Sequence, residues 1–227
     1  MIPDSLLSAK VIHTPATRSQ EAYHAIREQI IALDLAPASF IDETQLCERL
    51  SLGRTPVREA LIRLSFENLV VILPRRGTIV ADLNLSDLRK LYELYLQLET
   101  FAVRLAAERA APLELDRLHA WACTAQERHP GLDDLGLLAL DEQAHQLIVV
   151  AAHNAFLSEA LERLAGHMRR LCCWYATQQR LQTLPGAIDL LVAVVDCIGR
   201  REAQQAAERM GRHITIFRDE LLGSARL

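Results

Sequence analysis

Two sets of residues in this 227-residue sequence carry chemistry by their type and spacing. Asp141 and His145 stand four apart, where Leu138, Ile148 and Ala152 fall on the same helical face. His213 shares a second stripe with Ala206, Met210 and Phe217, so it too is expected to point inward. A carboxylate and two imidazoles turned into an apolar interior need partners for their polar atoms. One divalent metal (zinc, nickel or manganese) held by Asp141, His145 and His213 would supply one. Core histidines hydrogen-bonded to neighbours are the other reading, and the residues themselves leave both open. The second set is Arg54, Thr55 and Arg58, followed by Arg75-Arg76-Gly77. Arginine can bond guanine in pairs and threonine can reach a phosphate or a base edge, so this set points to duplex DNA.

The elements that must position these residues are legible from periodicity. Residues 1–16 show no period, contain Pro3 and Pro15, and read as a flexible arm. Ala22, Ile26, Ile30 and Leu33 predict a helix over 18–34 that Pro37 ends. A short helix follows over Glu43–Leu50, with Leu46 and Leu50 inward. Val57, Ala60, Leu61 and Leu64 stripe a third helix, with Pro56 in its first turn and Gly53 or Thr55 as its cap. Arg54, Thr55 and Arg58 lie at its start and off the stripe. Val70–Leu73 and Thr78–Val80 are β-prone runs joined by Pro74-Arg75-Arg76-Gly77, a hairpin with a basic tip suited to a minor groove or backbone.

From Ser86 onward the pattern is helical, with helices expected near 86–109, 113–128, 134–152, 155–178, 186–199 and 201–222. The fold class is therefore mainly α. A winged helix-turn-helix over 17–81 is followed by an all-α bundle of about six helices over 82–227.

Composition agrees. Half the residues are hydrophobic and only 5% aromatic, a bias toward leucine and alanine that suits helix-on-helix packing. The net charge of −4 does not oppose DNA binding, because charge distribution matters more than the sum. Residues 1–80 hold 9 basic and 9 acidic side chains, and Arg54, Arg58, Arg63, Arg75 and Arg76 cluster there against only Glu59 and Glu67. No apolar run approaches the roughly 18 residues of a membrane span, and no secretion signal is evident, so the expected location is the cytoplasm, with no membrane partner. Five cysteines without CxxC spacing read as reduced thiols there.

The run Gly53-Arg54-Thr55-Pro56-Val57-Arg58-Glu59-Ala60-Leu61, then Arg63-Leu64 and Pro74-Arg75-Arg76-Gly77, resembles the signature of the GntR family of bacterial regulators. The helix order beyond it resembles the FadR-type branch, with its FCD sensor domain. The resemblance implies DNA contacts from Thr44, Arg54, Thr55, Arg58, Arg76 and Gly77. It also implies a homodimer on an inverted-repeat operator, since two-fold protein symmetry matches operator symmetry. Gly53 replaces the usual Ser or Thr, and Ala38 stands where the family usually has Gly.

FadR-type sensor domains often hold a metal with one Asp and three His. Asp141, His145 and His213 match three of those positions, but Leu191 stands where the remaining His should fall. Tyr95 stands four residues before Glu99, where many relatives carry an Arg that binds an effector carboxylate. The expected effector pocket is thus lined by Tyr95, Leu191, Asp141, His145 and His213, with a weakened or absent metal and a less anionic or more apolar ligand. The function expected is a ligand-responsive transcription regulator. A constitutive DNA-binding scaffold ranks second, and a metal-dependent enzyme last, because no nucleophile, general base or phosphate loop accompanies the cluster.

Overall fold

A computed structural model describes residues 17–177 and 182–224, with the side chains of 85–88 and 220–224 excepted. The arm expected over 1–16 lies outside the described residues. The chain divides into two compact units. One takes in the chain up to Gln29 together with Ala38–Ala81; the other takes in Ile30–Pro37 and the chain from Asp82 onward.

The first unit is built on helices α1 (Arg18–Ile31), α2 (Glu43–Leu50) and α3 (Arg54–Phe66), with strands β1 (Phe40–Ile41), β2 (Val70–Leu73) and β3 (Gly77–Val80). The three strands form one antiparallel sheet in the order β1-β3-β2, with Phe40 opposite Ile79 and Leu73 opposite Gly77. Strand β1 was not expected from the sequence, because two residues are too few to show alternation. The expected stripe of α3 is its buried face: Val57, Ala60, Leu61 and Leu64 are buried, as are Ala22, Ile26, Leu46, Leu69 and Val80 of the same unit. Leu50 of α2, expected inward, is only half-buried.

Two caps fix where α2 and α3 begin. Asp42 caps α2, its Oδ1 accepting from the backbone N–H groups of Thr44 and Gln45. Gly53 caps α3 through backbone conformation alone, with no side-chain bond. A buried polar lock ties α1 to the end of α3: the Tyr23 hydroxyl donates to Glu67 at 2.6 Å, and Arg27 Nε lies 3.4 Å from the same carboxylate. Burial, followed by the bond to Glu67, pushes the Tyr23 hydroxyl up to about 12. Ala38 has φ +59, the left-handed region where a β-carbon costs energy, and its N–H bonds Val80 O at 3.1 Å.

The second unit is helical. Helices α4 (Leu85–Arg109), α5 (Pro112–Arg128), α6 (Asp134–Ala151), α7 (Ala155–Thr177), α8 (Leu184–Gly199) and α9 (Ala203–Ser224) follow in order, with one 3-10 turn over His129–Gly131. Boundaries fall within two residues of expectation. Their apolar faces make one core that includes Ala102, Val103, Leu138, Ile148, Ile188, Leu191, Val195 and Met210. Among the described residues, no helix is long and apolar enough to cross a membrane.

Candidate functional site

In the first unit, Arg54, Thr55 and Arg58 are exposed at the N-terminal end of α3, as its buried stripe requires. Thr44 is exposed on the first turn of α2. The two helix starts are joined by Arg58 Nε, which donates to Glu43 Oε2 at 2.9 Å, so Thr44 and the α3 arginines share one region of the surface. A helix N-terminus also favours phosphate, because its first N–H groups point outward unpaired.

The hairpin tip is a tight turn, closed by the Arg76 N–H donating to Leu73 O at 3.0 Å. Arg75 takes φ +63 and Gly77 φ +106. The turn leaves Arg75, Arg76 and Gly77 all exposed. At Gly77 a side chain would meet no neighbour, so the backbone angle alone explains glycine.

In the second unit, Asp141 and His145 from α6 and His213 from α9 converge. One ligand atom from each lies within 4.8 Å of the others. The two imidazole Nε2 atoms are 3.2 Å apart, and Asp141 Oδ1 is 3.2 Å from His213 Nε2. Asp141 Oδ2 stands 3.7 Å from His145 Nε2. Both histidines turn their other nitrogen away from the cluster. His213 Nδ1 lies 3.1 Å from the Ala187 carbonyl, and His145 Nδ1 lies 3.0 Å from Glu99 Oε1. His145 and His213 are buried, whereas Asp141 keeps 19% of its side chain exposed.

These contacts shift the ionisable groups. Burial alone would raise Asp141, but His213 and His145 beside it hold its carboxyl below the usual range. Burial alone would lower His145; Glu99 first, then Asp141 and Glu142, outweigh it and raise the imidazole to about 9.

The donor set fits a divalent ion. Two ligands about 2.0–2.1 Å from a tetrahedral ion stand about 3.3–3.4 Å apart, close to the observed 3.2 Å between the imidazoles. Asp141 Oδ1 is buried and makes no hydrogen bond, although His213 Nε2 is near. An ion between the three would satisfy it.

Comparison with known proteins now decides the lineage. The profile of the family described as "Bacterial regulatory proteins, gntR family" matches residues 18–80, and that of the FCD domain matches residues 90–215. The chain belongs to the GntR family.

Among its relatives, an uncharacterised HTH-type transcriptional regulator from the TAR-I ttuE-ttuC' intergenic region of Agrobacterium vitis is 34% identical over 140 residues, 60% of this chain and 82% of that protein. The uncharacterised HTH-type transcriptional regulator YdhC of Bacillus subtilis is 29% identical over 143 residues; the match covers 63% of this chain and 64% of YdhC. The fold is similar to that of Escherichia coli McbR/YncC, with a TM-score of 0.81 at 19% identity over 92% of this chain and 99% of that one.

Two further residues expected in the pocket of this GntR-family chain, Leu191 and Tyr95, are both buried. Leu191 is fully buried on α8, one turn beyond Ala187, whose carbonyl faces His213. The position at which a further histidine was expected therefore carries a buried apolar side chain. Tyr95 is buried with its ring centroid 6.0 Å from that of His145. Burial, then the charges of Glu99 and Asp141, push its hydroxyl well above the usual range, so it stays neutral.

Glu99, which the sequence offered only as a landmark for Tyr95, proves to lie beside the cluster, 3.0 Å from His145 Nδ1. It is 1% exposed, and its position seven residues after Tyr92 and four after Tyr95 on the inward face of α4 was the available signal.

Proposed function

We propose that this chain is a ligand-responsive transcription regulator that binds an inverted-repeat operator as a homodimer. Residues 17–81 read DNA, and residues 82–227 bind the effector and pair the two chains. The observation that carries this reading is the exposed Arg54-Thr55-Arg58 start of α3, placed beside Thr44 and followed by a basic wing tip, in a chain with GntR and FCD matches.

Arg54 and Arg58 would reach base edges in the major groove, where a helix-turn-helix sets its second helix. Thr44, Thr55, Arg76 and Gly77 would hold the phosphate backbone and the adjacent groove. Asp141, His145 and His213 would hold one divalent metal. Such an ion supplies a Lewis acid that can accept an oxygen or nitrogen donor of the effector. This chain's own residues set the rest. Tyr95 offers a neutral hydroxyl where relatives offer a cation, and Leu191 offers apolar surface. The effector class that fits is less anionic than a hydroxy acid or sugar acid.

Regulation follows from population shift: an effector that binds one arrangement of the dimer more tightly changes its affinity for DNA, by no more than that difference.

The test starts by selecting bound duplexes from a random library with the full chain. Anisotropy titrations on the selected duplex follow at several salt concentrations. The expected result is an inverted-repeat motif, with Arg58→Ala weakening binding about ten- to a hundredfold and relaxing the sequence preference at one position in each half-site. A library that shows no enrichment would overturn the reading.

A further inference from the structure

We propose that Glu99 is a positioning residue for the metal centre: it stands behind His145 and aims that ring's Nε2 at the ion. The inference rests on reading Asp141, His145 and His213 as metal ligands.

The geometry separates the two imidazoles. His213 is backed by a neutral backbone carbonyl, Ala187 O, at 3.1 Å from Nδ1. His145 is backed by a carboxylate, Glu99 Oε1, at 3.0 Å from Nδ1. Glu99 reaches this place from a different helix, α4, and is almost wholly buried. Its second oxygen, Oε2, has no hydrogen-bond partner, which leaves Oε1, 3.0 Å from Nδ1, as the oxygen that faces the ring. A buried carboxylate kept for packing alone would be a poor choice, since an apolar residue of similar size avoids its desolvation cost.

Charge balance explains its presence. Ligation requires both imidazoles to be neutral, and Asp141 with a Glu99 carboxylate would then bring two negative charges to the buried site, equal and opposite to one divalent ion. A carboxylate behind a ligating imidazole also fixes its ring and makes Nε2 a stronger donor. The compensation matters more here than in a four-ligand site, because Leu191 supplies no donor.

The experiment uses cobalt(II) as the probe, titrated into metal-stripped full-length protein against a competing chelator. Wild type, Glu99→Ala and Glu99→Gln are compared by affinity, by the visible cobalt spectrum at saturation and by thermal unfolding without metal. Loss of about 10–100-fold in cobalt affinity is expected for Glu99→Ala. Glu99→Gln, which keeps the side-chain shape and an acceptor oxygen, should lose less and still alter the spectrum.

Wild-type affinity and spectrum in both variants would overturn the inference while leaving the metal reading intact, even if the metal-free protein were less stable. Failure of the wild type itself to take up cobalt would instead remove the metal reading, and the role of Glu99 with it.

Discussion

At the scale of single residues, the proposed metal centre turns on three side chains that would supply atoms and one that would withhold them. Asp141 and His213 meet at 3.2 Å, and neither has a substitute within the cluster. Asp141→Ala or His213→Ala should therefore abolish metal content measured by elemental analysis of protein prepared without tag or chelator. Leu191→Ala should leave it unchanged while destabilising the bundle by about 2–5 kcal/mol through the cavity it opens. Leu191→His should tighten zinc binding in a chelator competition, because it adds a donor on the helix face that already meets His213. An unchanged zinc affinity would mean that α8 does not present that position to the ion. The sequence marked Asp141, His145 and His213 as a candidate cluster because polar residues stand on otherwise apolar, inward stripes. It did not show what lies behind each imidazole: the Ala187 carbonyl is backbone, with no residue type to read, and Glu99 is far away in sequence.

At the scale of elements, the helices were legible because most carry a one-sided apolar stripe and end at proline or glycine. The short strand β1 was not, since its only local sign is Phe40-Ile41 and its pairing with β3 spans almost forty residues. The chain enters β1 through Ala38 in a left-handed conformation that suits glycine better than alanine. Ala38→Gly should stabilise this corner by about 0.5–1 kcal/mol, net of the extra freedom glycine gives the unfolded chain. Hydrogen exchange over 38–41 and 77–80 should slow accordingly, and faster exchange would show that the alanine is not strained there. Between α2 and α3 the telling feature is the exposed Glu43–Arg58 pair at 2.9 Å. If Arg58 reads a base, DNA must draw it away from Glu43. Glu43→Gln should then tighten operator binding by at most about fivefold, in keeping with the small worth of exposed ion pairs. Weaker binding in that variant would mean that Glu43 holds Arg58 in its reading position.

At the scale of the whole molecule, the question is how one small recognition surface discriminates among genomic sites. The five clustered arginines of the first unit sit in a region of zero net charge, and the remaining chain is acidic. Long-range attraction to DNA is therefore weak, and in the proposed homodimer affinity would come from close contacts made twice. Two chains on an inverted repeat double both the base contacts and the phosphate contacts, and the second half-site is bound at high effective concentration once the first is held. A duplex carrying the full repeat should bind far more tightly than one carrying a single half-site. Its affinity should fall with salt along a slope about twice as steep, since twice as many phosphates are neutralised. Inserting five base pairs between the half-sites turns one to the opposite face of the helix and should reduce binding to the single-site level. Equal affinity and equal salt slope for the full repeat and the half-site would show that one chain binds alone. In that case an effector could no longer act by changing how two reading surfaces are paired, and its influence would have to pass within a single chain.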